Sequence, residues 1–485
     1  MTSLDMRRRW LALYVLCLGD LMIVLDGTIV NVALPSIRDD LGFSQTSLAW
    51  VVNAYLLTFG GFLLLGGRLG DLFGHRRLFL SGIALFTAAS LACGVASSQG
   101  FLIAARAVQG LGGAVVSAVA LSLLMMLFTE QADRAKAMGV FGFVLSGGGV
   151  VGVLAGGILT DLLSWNWIFL VNLPVGIAVF LLTLRLLPAD GEAMATGRVD
   201  YAGAITVTGS LMLAVYAIVN GNEEGWASTQ TVGLLGAAAV LMAAFLFIES
   251  RISNPLMPLG IFRNRSVSTA NILGALMAAG LFGYFFLSAL YLQLVLGYSP
   301  LEVGLAYLPG TVLWGASSLL LSDRLVMRYG IKPPLIAGLG LMTVGLLLLA
   351  RTPVDGNWLV DVLPATLAAS LGAGIAFNPI LLAAMSGVGQ EQAGLASGVV
   401  NTAFMMGGAV GLAALAAIAD ARTESLVGSE GALEALNSGY NLAFLVGAIF
   451  LVASAIVAAT LPRGEAVAGA HGEEPGGVPA AAEAD

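Results

Sequence analysis

The stretch LDGTIVNVALPSI (residues 25–37) closes the first long apolar segment of the chain and places a carboxylate, Asp26, inside it. A charged side chain within a membrane-spanning helix costs about 2.5 kcal/mol or more, so such residues usually mark a site for a proton, an ion or a substrate. The stretch therefore predicts a functional site within a membrane. Pro35 is expected to end this first helix, because proline lacks the backbone donor that a continuing helix needs.

The composition is that of a polytopic membrane protein. Of 485 residues, 58% are hydrophobic and 10% are charged, whereas soluble domains contain about 25% charged residues. The 63 glycines are typical of helices that approach each other closely in lipid. Cys17 and Cys93 lie in apolar runs, with neither a metal-binding spacing nor a disulfide framework. We therefore expect a lipid bilayer around the chain, and no nucleic-acid partner, no metal and no obligate protein partner.

Fourteen apolar segments are long enough to cross a bilayer, which takes about 20 residues each. An even number of crossings puts both termini on the same side. The segments are 11–34, 46–66, 78–97, 101–127, 135–160, 167–187, 202–220, 231–249, 267–291, 301–321, 334–351, 359–384, 396–419 and 440–461.

The basic residues orient these helices. With cytoplasmic termini, the inside segments hold seventeen of the 21 lysines and arginines. The outside segments hold Arg38, Arg351 and Arg422, and Arg106 lies within a helix. This distribution follows the positive-inside rule. It predicts a multi-pass plasma-membrane protein, and the preference for arginine over lysine is typical of a high-GC bacterium.

A weak internal repeat predicts how the helices are grouped. GDLFGHRR (70–77) aligns with VMRYGIKP (326–333), which matches Gly74 with Gly330. Two related halves place a substrate path between them, near the middle of the bilayer. The predicted fold is all-α, with two six-helix bundles and two extra central transmembrane helices. The predicted domains are an N-terminal bundle, 1–190; a linker with the extra helices, 191–263; a C-terminal bundle, 264–463; and a disordered acidic tail, 464–485.

Three ionisable residues within helices are the candidates for proton coupling. Asp20 lies six residues before Asp26 on the same helix, and Arg106 begins the motif RAVQGLGGA (106–114). Because a neighbouring cation favours the ionised form of an acid, Arg106 would help either acid to release its proton as the conformation changes. The alternatives are a static ion pair for Arg106 and a packing role for the acids.

The motif GGRLGDLFGHRR (66–77) follows the second helix directly. Its glycines are expected to form a tight cytoplasmic turn. Its charges predict a breakable latch between helices, in which Asp71 pairs with Arg76 or Arg77; simple anchoring of the topology is the alternative. The latch candidates are Gly67, Asp71, Gly74, Arg76 and Arg77.

The segment GFVLSGGGVVGVLAGGIL (142–159) predicts a smooth helix face. Gly148, Gly152 and Gly156 recur every four residues, with Gly157 beside them. Such small residues allow close helix contact in membranes. We interpret them as the interface of helices that slide against each other, with plain close packing as the alternative.

Substrate contacts are predicted from polar and aromatic residues in otherwise apolar helices, although each is individually more typical of a core. They are Asn31, Gln109, Asn271, Tyr284, Gln293 and Asn401. The chain lacks a phosphate-binding GxxxxGK[ST] motif, and His75 and His471 are isolated. No nucleophile or metal constellation is evident, so we predict no catalytic residue, no enzyme activity and no cofactor.

Four motifs together resemble those of the major facilitator superfamily, and in particular its fourteen-helix drug:proton antiporter branch (EmrB/QacA-type). LDGTIVNVALP (25–35) is similar to the first-helix motif, GGRLGDLFGHRR (66–77) to the motif between helices 2 and 3, and RAVQGLGGA (106–114) to the fourth-helix motif. GGGVVGVLAGG (147–157) with WNWIFLVNLPVG (165–176) is similar to the fifth-helix antiporter motif and the loop after it. The resemblance implies that Arg106 takes part in proton transfer.

Three positions depart from the family pattern. His75 and Asn166 stand where arginine is usual, and Val153 stands where the fifth-helix motif has proline. The missing proline implies a straighter fifth helix. No further acid lies clearly inside helices 7 to 14, which favours neutral or variously charged substrates over dications.

The expected function is export of a small amphiphilic drug or antibiotic by exchange for protons, through alternating access and without a cofactor other than the proton gradient. Two alternatives remain open on this fold. One is a proton-coupled importer of a small nutrient, and the other is a membrane sensor that transports nothing.

Overall fold

The computed structural model describes residues 5–190, 200–252, 255–386, 388, 390–429 and 431–461. The predicted acidic tail and His471 lie outside these residues. Of the predicted domain boundary at 190/191, residue 190 is described and residue 191 is not. The side chain of Asp71 is also outside the described part of the structure.

The described chain is made of helices and short connections, with no strand in the ranges given above. Fourteen long helices confirm the fourteen predicted segments. They are α1 (Met6–Leu41), α2 (Trp50–Phe73), α3 (His75–Gly94), α4 (Gln99–Leu127), α5 (Gln131–Leu162), α6 (Asn172–Leu186), α7 (Tyr201–Glu224), α8 (Thr229–Arg251), α9 (Arg265–Leu290), α10 (Pro300–Ser317), α11 (Lys332–Leu349), α12 (Leu363–Ser386), α13 (Gln390–Leu426) and α14 (Ala432–Ala459).

Thirteen of these helices are long and apolar enough, over their described residues, to cross a membrane. The remaining one, α5, is a continuous helix whose described apolar part is Val151–Leu162. Short helical turns extend several helices, among them Tyr291–Val295 after α9 and Trp358–Val362 before α12.

The first helix is longer than predicted, because Pro35 does not end it. The helix continues to Leu41 and stops at Gly42, whose φ of 72° is readily adopted by glycine and whose amide donates to the carbonyl of Arg38. The prediction for Pro35 was wrong because neighbouring helices surround the proline. In a membrane, such packing compensates for the one backbone hydrogen bond that proline removes.

The connection between α2 and α3 is shorter than predicted. Residues 66–73 belong to α2, and Gly74 alone makes the turn, with a φ of 97°. Gly67 therefore lies on a helix with open space beside it, and the prediction that it belongs to the turn was wrong. Gly330 separates the described helix Asp323–Tyr329 from α11 with a φ of 76°, so the aligned glycines of the two halves make matching turns.

Helix contacts repeat between the two halves. In the first half α1 packs on α5 and α2 on α4; in the second, α9 packs on α13 and α10 on α12. The halves meet where α5 contacts α10 and where α2 contacts α13. The extra helix α7 lies against α2 and α13 with α8 outside it. The exact domain boundaries stay predictions.

The gap between the halves is closed near the extracellular helix ends. The amide of Gln293 donates to the carbonyl of Val32 at 2.8 Å, which joins the end of α9 to α1. Gly157 of α5 faces the backbone of Pro300 and Leu301 at the start of α10. These contacts make this the extracellularly closed arrangement of the two halves.

Candidate functional site

The glycine face of α5 packs against the stretch around Asp26. A Cβ added to Gly152 would overlap the hydroxyl of Thr28, and one added to Gly156 would lie 2.6 Å from the carbonyl of Ile29. These glycines therefore join two helices of the same half. Of the four predicted interface glycines, Gly157 lies on the adjacent face and contacts the other half.

Asp26 and Arg106 form an ion pair in the interior of the first half. Both side chains are fully buried: the residues have 0% exposure. One guanidinium nitrogen of Arg106 donates to Oδ2 of Asp26, across 80 residues of sequence. The structure thus brings together two of the three residues predicted for proton coupling.

Neutral polar groups from three helices complete this charge cluster. Gln109 donates to Oδ1 of Asp26 at 2.7 Å and accepts from Arg106 at 2.6 Å. Asn172 at the start of α6 donates to the same Oδ1 at 3.1 Å. Ser90 of α3 accepts from Gln109 at 2.8 Å. Every carboxylate oxygen of Asp26 therefore has at least one donor, as a buried charge requires.

The guanidinium is also held from its other sides. Its Nε donates to the carbonyl of Val51 at 2.9 Å. Its carbon lies 4.4 Å from the ring centre of Tyr55 and 5.5 Å from that of Phe169. Aromatic faces attract a cation within about 6 Å. Arg106 is thus fixed at the crossing of α1, α2 and α4, where a change in the charge of Asp26 acts directly on its guanidinium.

Asp20 has different surroundings. It is 3% exposed, and its Oδ1 accepts a hydrogen bond from Ser117 of α4 at 2.6 Å. Its Oδ2 has no hydrogen-bond partner among the described residues. Six residues of helix separate it from Asp26 by about 9 Å along the axis. Asp20 therefore lies outside the charge cluster that Asp26 forms with Arg106.

Sequence reasoning missed three of these partners: Ser90, Ser117 and Asn172. Each is a neutral polar residue in an apolar segment, and several other such residues bond only to their own helix. Asn31, for example, donates to the carbonyls of Gly27 and Thr28. The available signal for Asn172 was its place in the motif after the fifth helix.

The latch motif binds an acid that the sequence did not reveal. The backbone amides of Arg76 and Arg77 donate to the two carboxylate oxygens of Asp190, each at 2.9 Å. The side chain of Arg76 donates to the carbonyl of Leu184 at 2.8 Å. Asp190 therefore caps the start of α3 from the segment that follows α6, which ends at Leu186. The predicted pairing with Asp71 lies outside the described side chains and stays a prediction.

Replacing Asp190 by alanine is expected to lower the stability of the protein by about 1 kcal/mol, because two amides at the start of α3 lose their cap. The midpoint of thermal unfolding in detergent measures this loss. Asp39→Ala is the matched control, since Asp39 is exposed and pairs only with Arg38 next to it in the described structure. Equal midpoints for Asp190→Ala and the wild type would contradict the capping role.

The six predicted substrate contacts do not share one site. Gln109 belongs to the charge cluster, and Gln293 joins the two halves. Asn271 donates to the carbonyl of Val267 on its own helix. Tyr284 lies in an aromatic group of the second half, and Asn401 lines a small cavity between α12 and α13.

The fold and the charge cluster agree with a known family of transporters. The sequence profile described as Major Facilitator Superfamily matches residues 16–412. The chain belongs to the major facilitator superfamily. The predicted family and fold are thereby confirmed.

Individual relatives are named for resistance to antibiotics or for their export. The chain is 40% identical over 455 residues to the puromycin resistance protein pur8 of Streptomyces alboniger, covering 92% of this chain and 90% of that protein. It is 36% identical over 454 residues to the cephamycin export protein CmcT of Amycolatopsis lactamdurans, covering 93% and 92%. It is 37% identical over 418 residues to the lincomycin resistance protein of Streptomyces lincolnensis, covering 85% of each. These relatives confirm the prediction of a multi-pass bacterial membrane protein of the drug:proton antiporter type. They also confirm the prediction that the chain is not an enzyme.

Solved structures agree with the fold. A bacterial homologue of the human lysosomal transporter Spinster, inward-facing and unoccupied, has a TM-score of 0.66 at 16% identity and covers 94% of this chain and 97% of its own. A POT peptide transporter in complex with sulfate has a TM-score of 0.67 at 15% identity and covers 95% and 100%.

Proposed function

We propose that this superfamily member exchanges inward-moving protons for an outward-moving amphiphilic antibiotic or drug across the bacterial plasma membrane. The relatives named for puromycin, cephamycin and lincomycin support an antibiotic-like cargo. The proton gradient drives the exchange, so the proposal includes no cofactor.

The buried Asp26–Arg106 pair is the observation that carries this proposal. A buried ion pair stabilises a fold no better than well-packed apolar residues, but removal of one charge leaves the other uncompensated. A proton on Asp26 removes that charge and leaves Arg106 as a buried cation. Protonation therefore disfavours the extracellularly closed arrangement seen here. Proton binding that differs between two conformations is what coupling requires.

The glycine face of α5 links this change to the contact between the halves. Gly152 and Gly156 hold α1 at backbone distance, while Gly157 holds α10. A shift of α1 on protonation therefore moves the helix that closes the extracellular side. In this proposal the glycines transmit the movement, and the Asp190 cap keeps the start of α3 fixed during it.

The aromatic group of the second half is the proposed cargo surface. The rings of Phe285 and Trp314 are stacked 6.1 Å apart and are partly exposed, and Tyr284 lies 4.9 Å from Phe285, centre to centre. Stacked rings give an amphiphilic molecule a large apolar contact. Asn271 and Asn401 remain candidates for its polar groups, whereas Gln109 and Gln293 fit the charge cluster and the closure contact better.

Transport in everted membrane vesicles tests the proposal. Vesicles from a pump-deficient host that expresses the chain are energised, and accumulation of labelled puromycin, lincomycin and cephamycin is measured. Accumulation that collapses with a protonophore is the expected result. Uptake only into right-side-out vesicles would indicate an importer. Failure of labelled puromycin, lincomycin and cephamycin to show counterflow in proteoliposomes would favour a sensor.

Gly157→Ala is expected to reduce efflux about tenfold. The added methyl group would lie 2.7 Å from the carbonyl of Pro300, so α5 and α10 must separate, and overpacking of this kind costs about 1–3 kcal/mol. The initial rate of drug accumulation in everted vesicles measures the effect. Gly149→Ala on the same helix is the control, because no atom of the described residues lies within 4 Å of its added Cβ. Wild-type rates for Gly157→Ala would show that the contact is not used in transport.

A further inference from the structure

A groove of about 500 Å³ lies where the extracellular ends of α11, α13 and α14 meet. Arg351 and Arg422 line it, and both are exposed. Leu347, Leu442 and Leu445 line its apolar side and are also exposed. The groove therefore combines two guanidinium groups with an exposed leucine surface on membrane-spanning helices.

The two arginines of this groove are exceptions to the positive-inside distribution of the chain. Arginine is disfavoured on the extracellular side of membrane proteins, yet two of the three extracellular arginines line this one groove. The third, Arg38, is bonded to the carboxylate of Asp39 at 2.7 and 2.9 Å. Arg351 and Arg422 form no ion pair with any carboxylate in the described ranges. Two like charges in one groove repel each other, and an anion between them would remove that repulsion.

Polar contacts fix the backbone beside Arg351 and position the side chain of Arg422. The carbonyl of Thr352, next to Arg351, accepts from Asn437 at 2.8 Å and from Asn441 at 3.1 Å. These bonds fasten the end of α11 to α14. Nε of Arg422 lies 3.4 Å from the hydroxyl of Ser438, which it can donate to. The groove is therefore formed before any ligand arrives, and Ser438 and Asn441 add polar groups to its lining.

We propose that this groove binds the headgroup of an anionic phospholipid of the extracellular leaflet. The lipid phosphate lies between the two guanidinium groups, whose planar donors match phosphate oxygens. The acyl chains follow the leucines onto the outward face of α14, where Ile449, Val452 and Ile456 are exposed. A lipid explains the membrane-facing leucines as well as the arginines, whereas a soluble anion explains only the arginines.

Native mass spectrometry of the full chain tests this site. The protein is reconstituted with phosphatidylcholine and phosphatidylglycerol, released in detergent, and the retained phosphatidylglycerol is counted over a concentration series. Arg351→Gln and Arg422→Gln are each expected to weaken retention about fivefold, and the double variant about 30-fold. Arg38→Gln is the matched control and is expected to retain phosphatidylglycerol like the wild type.

Equal retention by the double glutamine variant and the wild type, or an equal loss in Arg38→Gln, would overturn the proposal. If soluble glycerol phosphate competes as effectively as the lipid, the groove binds a free anion, and the proposal is also overturned. The Arg351→Lys/Arg422→Lys variant keeps both charges but loses the planar donors, so it is expected to retain more phosphatidylglycerol than the double glutamine variant and less than the wild type. Its unfolding midpoint in phosphatidylcholine alone is expected to equal that of the wild type and of the double glutamine variant.

Discussion

Asp26→Asn is expected to reduce proton-driven efflux to the level of membranes without the protein. The substitution removes the charge that Arg106 faces and leaves a buried cation uncompensated, at a cost of about 3–5 kcal/mol. A cost of that size shifts the balance between two conformations by more than about 100-fold. The variant also lacks a proton to exchange at this position. Accumulation of puromycin in everted vesicles, normalised to the amount of inserted protein, measures the loss.

A charge-neutral variant separates transport from stability at this site. Asp26→Asn alone is expected to lower the unfolding midpoint, because Arg106 remains charged. Asp26→Asn combined with Arg106→Gln removes both charges and is expected to recover most of the lost stability while efflux stays at background. Efflux restored along with stability in the double variant would mean that the pair is structural, and it would remove the main support for the proposed coupling.

The pairing of Asp26 with Arg106 is predictable from the sequence because buried charges need partners. Few ionisable residues lie deep in the apolar segments of this chain, so the candidates were few. Asp20 was the second candidate, and it faces Ser117 instead. Which acid faces the arginine depends on how α1 is rotated against α4, and six residues of spacing do not determine that.

Features of the fold that depend on neighbouring helices were predicted less well. The hydropathy of each segment is local, so all fourteen helices were found. The effect of Pro35 is not local, because packing around it lets α1 continue to Leu41. The cap provided by Asp190 joins residues more than 110 positions apart, and no local pattern marks it. The substrate contacts were predicted from residue type alone, and the structure distributes them over several sites.

Asp20→Asn is expected to uncouple transport from the proton gradient without blocking the movement of drug. Asparagine resembles the neutral acid in shape and charge, and its oxygen can still accept from Ser117, so the fold is retained. If Asp20 is a second proton site, asparagine keeps position 20 in the equivalent of its protonated form throughout the transport cycle. Gradient-driven accumulation in vesicles is expected to fall about tenfold or more. A difference of about 1.4 kcal/mol in the free energy of protonating a group in the two conformations corresponds to a factor of ten, and asparagine removes that difference. Gradient-independent counterflow of puromycin in proteoliposomes is expected to stay within about threefold of the wild type.

The comparison with Asp26 determines which acid couples the proton. Both acids lie on α1, but in the described structure only Asp26 is paired with a cation, so its neutral variant is expected to stop counterflow as well as accumulation. Ser117→Ala removes the one hydrogen bond to Asp20 seen in the described structure while keeping its carboxyl. It is the matched control, and we expect it to keep gradient-driven transport. Full accumulation by Asp20→Asn would leave Asp26 as the sole proton carrier and assign Asp20 to packing. Loss of both activities in Asp20→Asn, with normal unfolding, would place Asp20 in the conformational change itself, because a residue that only carries protons is not needed for exchange without a gradient.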